Sequence, residues 1–437
     1  MSSSHHLTGR LRALACAVVL GLLPAVVAAH DPSPSPKITS GLGALTFPTS
    51  THNHAAQAAF ERGLLLLHVF EYTQAEQAFQ QAERLDPAFA MAYWGEAMTA
   101  NHPVWNQQNL AQARAALAKL GATPQARAAK AGTARERAYL ATLDVLYGSD
   151  SPKAERDKAY AEAMAKLAAD YPKDDEAQLF YALALLGRSE GERDVPTYLQ
   201  AAAMAEAVYR RNPQHPGAAH YWIHGMDDPE HAAGALEAAR TLARIAPDAG
   251  HSQHMTAHIF MALGLWDDVV AANENADRVV AEQMRAKGQP PYTCGHYAEW
   301  LEYGYFQQGR QRQGQQVVLD CAREGAATLD WMRAHPGTPV LSFKSPEGFR
   351  ARYLGSLITL QATAIVESAR YRDAAAAVPV DTAGLGPDAA WAGFAQGWAA
   401  AERGDATTAR TQLVALQSLV QAPPESTARV RPCEIID

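Results

Sequence analysis

The sequence is notable first for what it lacks. There is no stretch of Lys and Arg interleaved with aromatics, and the formal net charge is −8, which argues against a nucleic-acid partner. Beyond the first thirty residues no segment has ~18 uninterrupted apolar residues, so the mature chain has no expected membrane span. There is no HExxH pair of the common zinc proteases, no Gly-rich phosphate loop, no GxSxG elbow and no Cys–His nucleophile arrangement. Cysteine is scarce, with four in 437 residues. Gly and Pro are scattered rather than clustered, so long disordered stretches are not expected.

What is present is alanine and hydrophobic residues, the latter at 48%. Runs such as AARAALAKLGA favour helix, because Ala loses no side-chain entropy on ordering. Residues 1–29 read as a signal peptide. Arg10 and Arg12 are basic, Ala13 to Leu23 is apolar but too short to span a bilayer, and Val27-Ala28-Ala29 is a small-residue cleavage site. Cys16 lies in the apolar run without a lipobox, which argues against a lipid anchor. The chain is therefore expected to be periplasmic or secreted after cleavage near Ala29. Cys294, Cys321 and Cys433 then remain in an oxidising compartment. Cys294 and Cys321 fall near the two ends of one expected helical hairpin and are the preferred pair, although spacing alone leaves the connectivity open. Residues 30–50 are Pro/Ser-rich and read as a flexible tail, 51–422 as one helical repeat domain, and 423–437 as a C-terminal tail.

A 34-residue period runs through the repeat domain. In NHAAQAAFERGLLLLHVFEYTQAEQAFQQAERLDP, Gly63, Ala75, Phe79, Ala82 and Pro87 stand where a helical hairpin needs small contact residues, one large plug and a helix stop. Pro213 and Pro247 are 34 apart, Gly264 and Gly309 each fit a turn between helices, and WAGFAQGWAAAERGDATTARTQLVAL repeats the pattern near the C-terminus. This resembles the tetratricopeptide repeat (TPR) superfamily. The segments PxxAxHYWIH and AGHSQHMTAHIF are similar to motifs of exported bacterial TPR proteins. The resemblance covers most of 54–421, with 103–135, 188–196 and 333–349 as departures expected to be loops or irregular hairpins. It implies an all-α fold, an α-solenoid of stacked helical hairpins with a concave groove lined by the first helix of each hairpin, and a groove able to hold a partner protein or peptide.

Seven of the sixteen histidines lie between 215 and 258. His220 and His224 are four apart, as are His254 and His258, so each pair shares a helix face. The pairs are also 34 apart from one another, which puts four imidazoles at equivalent places on successive hairpins. His251 and His296 are expected beside them, with Glu299 and Tyr303 on the next helix as candidate catalytic groups. Three or four neutral imidazoles suit a transition metal such as zinc, copper or iron. Glu299 is then a further ligand, an orienting group or a base. The same rings could instead hydrogen-bond Tyr221, Tyr297 or backbone carbonyls, and the same groove could bind a partner without metal. Whether the chain is an enzyme stays open at this point.

Three further groups stand out. Asp227, Asp228, Glu230 and His231 follow the first pair, as oxygen ligands or as a turn and cap before the next helix. Tyr93, Trp94, His102 and Trp105 read chiefly as core packing, and His52, His54 and His68 as surface or locally bonded residues. FKSPEGFRAR supplies Lys344, Arg350 and Arg352, either a solvated loop or a clamp for an anion.

Overall fold

The computed structural model describes residues 41–188, 193–385 and 388–421. These belong to the compact unit Pro36–Asp437, whereas the unit Met1–Ser35, with the expected signal peptide, lies outside the described residues, as do Cys433 and the C-terminal tail. Eighteen α-helices account for most of the described chain. They are α1 His54–His68, α2 Tyr72–Leu85, α3 Ala90–Met98, α4 Leu110–Leu120, α5 Pro124–Ala128, α6 Ala134–Tyr147, α7 Lys153–Asp170, α8 Asp175–Leu186 and α9 Val195–Arg211. There follow α10 Pro216–Met226, α11 Leu236–Ile245, α12 Gly250–Ala262, α13 Trp266–Ala286, α14 His296–Gln307, α15 Gln311–Ala334, α16 Pro346–Ser368, α17 Asp388–Glu402 and α18 Ala406–Gln421. The expected all-α class holds. The described strand pairing is a two-residue antiparallel ladder, β1 Asn101–His102 with β2 Gln107–Gln108, and one isolated bridge, Val340 with Phe343. No described helix is long and apolar enough to cross a membrane.

Helices pack on their sequence neighbours and, in places, on the next but one: α1 on α3, α8 on α10, α10 on α12 and α14 on α16. Small residues set the approach. The Phe79 ring fills the space over both Gly63 and Gly95, where a Cβ at Gly63 would stand 2.6 Å from it. Pro216 and Gly250 open α10 and α12 at the 34-residue spacing of the sequence period. The chain leaves α12 and α14 through Gly264 and Gly309, at φ 70° and 73°, a left-handed conformation that a side chain disfavours.

One expectation changes. Residues 41–50, expected as part of a free tail, are built into the structure: Leu42 and Phe47 are buried. Ala44 donates its N–H to the Gln214 carbonyl, and Ser50 donates to Glu136 from both N–H and hydroxyl. Phe47 and Leu42 supply the apolar surface that a Pro/Ser-rich composition obscures. The stretch 103–135, expected as loops or irregular hairpins, carries the short helices α4 and α5. Helix α1 also packs against α10, about 150 residues later, a contact no period announces. Cys294 and Cys321 are joined in a disulfide, the expected pair.

Candidate metal centre

Helix α10 starts sharply because Pro216 occupies its first turn and the preceding His215 accepts the Ala218 N–H through its ring. Its next turns present His220 and His224. Helix α12 presents His251, His254 and His258, and α14 opens on His296. These six rings form two triads, His220/His224/His251 and His254/His258/His296, each with ligand atoms all within 4.8 Å of one another. The four rings expected to converge are thus apportioned between two sets, each completed by one of the two flanking histidines. The first triad is buried; His258 and His296 of the second are partly buried.

Hydrogen bonds at Nδ1 orient His220, His254 and His258. In the second triad, the Asn273 amide nitrogen donates to the Val269 carbonyl, so its Oδ1 accepts from His254 Nδ1 at 2.8 Å. His258 donates from Nδ1 to Asp227 Oδ2, also at 2.8 Å. Both rings therefore carry their proton on Nδ1, leaving two bare Nε2 lone pairs that face each other 3.0 Å apart. His296 Nε2 is buried and has no hydrogen-bond partner among the described residues, and its Nδ1 lies 3.7 Å from Glu299 Oε2. In the first triad His220 donates from Nδ1 to the His68 carbonyl at 2.7 Å, and its Nε2 meets His224 Nε2 at 3.1 Å.

In the second triad, two lone pairs at that separation repel unless a proton or another cation lies between them. Burial, and then the neighbouring rings, push His224 and His254 well below the ordinary histidine value, which disfavours a proton on either of those two rings. A metal ion satisfies the geometry. Two imidazole nitrogens each at ~2.0–2.1 Å from one ion, at tetrahedral or octahedral angles, stand roughly 2.9–3.4 Å apart. The Nδ1 acceptors are the partners that orient metal-bound imidazoles and raise their basicity. Asp227 is suited to this role. Burial pushes its pKa up, but the His258 ring and Arg193 more than offset that and hold it below the usual carboxylate value.

Aromatic rings wall both sets. Phe70 lies against His220, His224 and His251 with ring centroids 4.5, 5.7 and 5.3 Å away, and its own backbone is left-handed at φ 61°. A bulky residue held there stores about 1–3 kcal/mol. Trp300 and Tyr297 take the equivalent place, Trp300 at 4.2 Å from His258 and Tyr297 at 4.6 Å from His254.

A third group, His68/Glu176/His215, has ligand-like spacing but is already satisfied. His68 Nε2 meets Glu176 Oε2 at 2.6 Å, its Nδ1 accepts from the Tyr221 hydroxyl at 2.9 Å, and His215 Nε2 meets Glu176 Oε1 at 2.9 Å. Burial would raise Glu176, but the two imidazoles hold it below the ordinary carboxylate range, while burial keeps His68 low. Neutral rings donating to a carboxylate use up these atoms, so the group reads as a structural brace beneath His220.

Among the other expected residues, Glu299 reaches only the edge of the second triad, and Tyr303 packs against Trp266 at 5.8 Å rather than on a triad. Asp228 caps a turn, accepting from the Glu230 and His231 N–H groups. His68, expected at the surface or bonded locally, is fully buried. Its partners lie more than 100 residues away, beyond the reach of local pattern. Asp227, expected as an oxygen ligand or a cap after the first pair, accepts from His258 Nδ1 instead, and Asn273 gave no sequence signal. Compared with family models and with curated proteins, the chain finds no match.

Proposed function

We propose that this chain is a transition-metal protein that holds two ions, one in each histidine triad, for metal handling or metal-dependent chemistry. The observation that carries the reading is the pair of bare Nε2 atoms of His254 and His258, 3.0 Å apart, with both Nδ1 protons committed to Asn273 and Asp227. On the first triad, the His220 and His224 Nε2 atoms 3.1 Å apart, with His220 Nδ1 committed to the His68 carbonyl and His251 beside them, support a second ion. Three neutral imidazoles suit copper and zinc better than magnesium or calcium, which prefer oxygen. Three protein ligands also leave a coordination position for water or substrate. The 34-residue recurrence supports stacked TPR-type hairpins as the scaffold, and residues 1–29 support an exported chain.

The test is elemental analysis of untagged protein loaded with copper or zinc and then desalted. Wild type is expected to retain two equivalents, and His224→Ala and His258→Ala one each. Wild type that retains none after loading with either metal contradicts the reading.

A further inference from the structure

His251 and His296, the third members of the two triads, border one cavity of about 160 Å³. Its apolar lining includes Phe70, Val280 and Phe343. Its polar lining includes groups with unmet needs. The Tyr292 hydroxyl is buried and has no hydrogen-bond partner among the described residues, and neither have Gln283 Nε2 and Asp277 Oδ1. Tyr292 itself is 4% exposed. Arg352, partly buried on α16, faces the same space. Glu71 also lines it, with its carboxylate engaged by the Gly250 N–H at 3.1 Å.

A buried polar atom left without a partner costs about 1–3 kcal/mol, so three such atoms around one cavity, the Tyr292 and Gln283 donors and the Asp277 oxygen, indicate something that completes them. The donors are of one kind. Tyr292 offers O–H, Gln283 offers N–H, and Arg352 offers a charged fork suited to a carboxylate. Asp277 lies beside them, and burial, with Glu324 nearby, pushes it well above the ordinary carboxylate value, which favours its neutral form. The size is also informative, since an apolar cavity of roughly 150 Å³ holds one benzene.

We propose that this cavity is a binding site for a single-ring organic carboxylate. The ring lies among Phe70, Val280 and Phe343, and the carboxylate accepts from Arg352, Tyr292 and Gln283. The site borders both triads, so its occupant sits where bound metal acts on it. Only that last consequence rests on the metal reading; the pocket chemistry stands apart from it.

Benzoate is the probe, titrated calorimetrically into full-length protein, once after metal loading and once after chelation. Binding is expected in both forms. Arg352→Met should weaken it at least tenfold and the near-isosteric Tyr292→Phe several-fold, with metal content unchanged in each. Toluene and acetate, each keeping one half of the ligand, should bind at least tenfold more weakly than benzoate. Absence of benzoate binding in protein with full metal content overturns this inference and leaves the metal reading standing. Equal binding of toluene, or no effect of Tyr292→Phe in protein that remains folded, overturns the carboxylate assignment. Benzoate binding to protein that never takes up metal keeps the pocket and removes the metal reading.

Discussion

Asp227 and Asn273 decide what the second triad can do, because each takes the Nδ1 proton of one ring and so frees the Nε2 atom opposite. Removing an orienting partner of this sort typically weakens a metal site 10–100-fold. Asp227→Ala is therefore expected to lower affinity for one of two ions by about that factor and to leave the other unchanged, as read by competition with a chromophoric chelator. Glu176 makes a different prediction. It braces His68 and His215 inside the protein, and Glu176→Ala should lower unfolding free energy by about 3 kcal/mol in chemical denaturation. Because its folded pKa is depressed, its contribution is full above its unfolded value of 4.5 and declines as pH falls from there, so wild type and variant should converge in stability under strong acid. At this scale the sequence was readable only where chemistry repeats. His220, His224, His254 and His258 announce themselves through the 34-residue register, and His251 and His296 as their neighbours. Asp227 is 31 residues from His258, and His68 is 152 from His220. Such contacts depend on how helices pack, and no single segment encodes them.

Among helices the controlling quantity is distance of approach. Phe79 fits only because Gly63 and Gly95 have no side chains, and a Cβ on Gly63 would press into its ring. Gly63→Ala is expected to cost about 1–3 kcal/mol despite the higher helix propensity of Ala, seen as a lower melting temperature. This contact was legible beforehand, because Gly63 and Phe79 belong to one repeat unit and meet across one hairpin. The packing of α1 on α10 and the seating of residues 41–50 were not, since both join distant parts of the chain. The disulfide belongs to this scale too. It closes a loop with a sequence separation of 27, for which chain entropy gives about 3–4 kcal/mol. Cys294 lies two residues before His296, so Cys294→Ser/Cys321→Ser should reduce thermal stability and weaken the second triad before the first. Titration of metal into the double variant distinguishes the two sites.

At the two triads, the contributions to stability and metal content should respond to pH with one sign. Burial lowers His224 and His254 in the folded state from the ordinary 6.5. The unfolded chain then takes up protons that the buried rings refuse, so stability is retained above about pH 6.5 and lost as pH falls below it. Metal binding acts in the same direction, because its ligands must be deprotonated. Loaded protein is expected to melt at a higher temperature than chelated protein at pH 7.5, with the difference shrinking as pH approaches 5. The placement of six histidines as two equivalent sets, rather than one open cluster, is the feature on which this behaviour depends.

The most direct measurement is an anomalous difference map from crystals of metal-loaded protein, collected at the absorption edge of the bound metal. The account predicts two peaks, each about 2.0–2.1 Å from imidazole nitrogens, one among His220, His224 and His251 and one among His254, His258 and His296. Crystals of loaded protein with no peak at either triad, the facing Nε2 atoms still 3 Å apart, would contradict it.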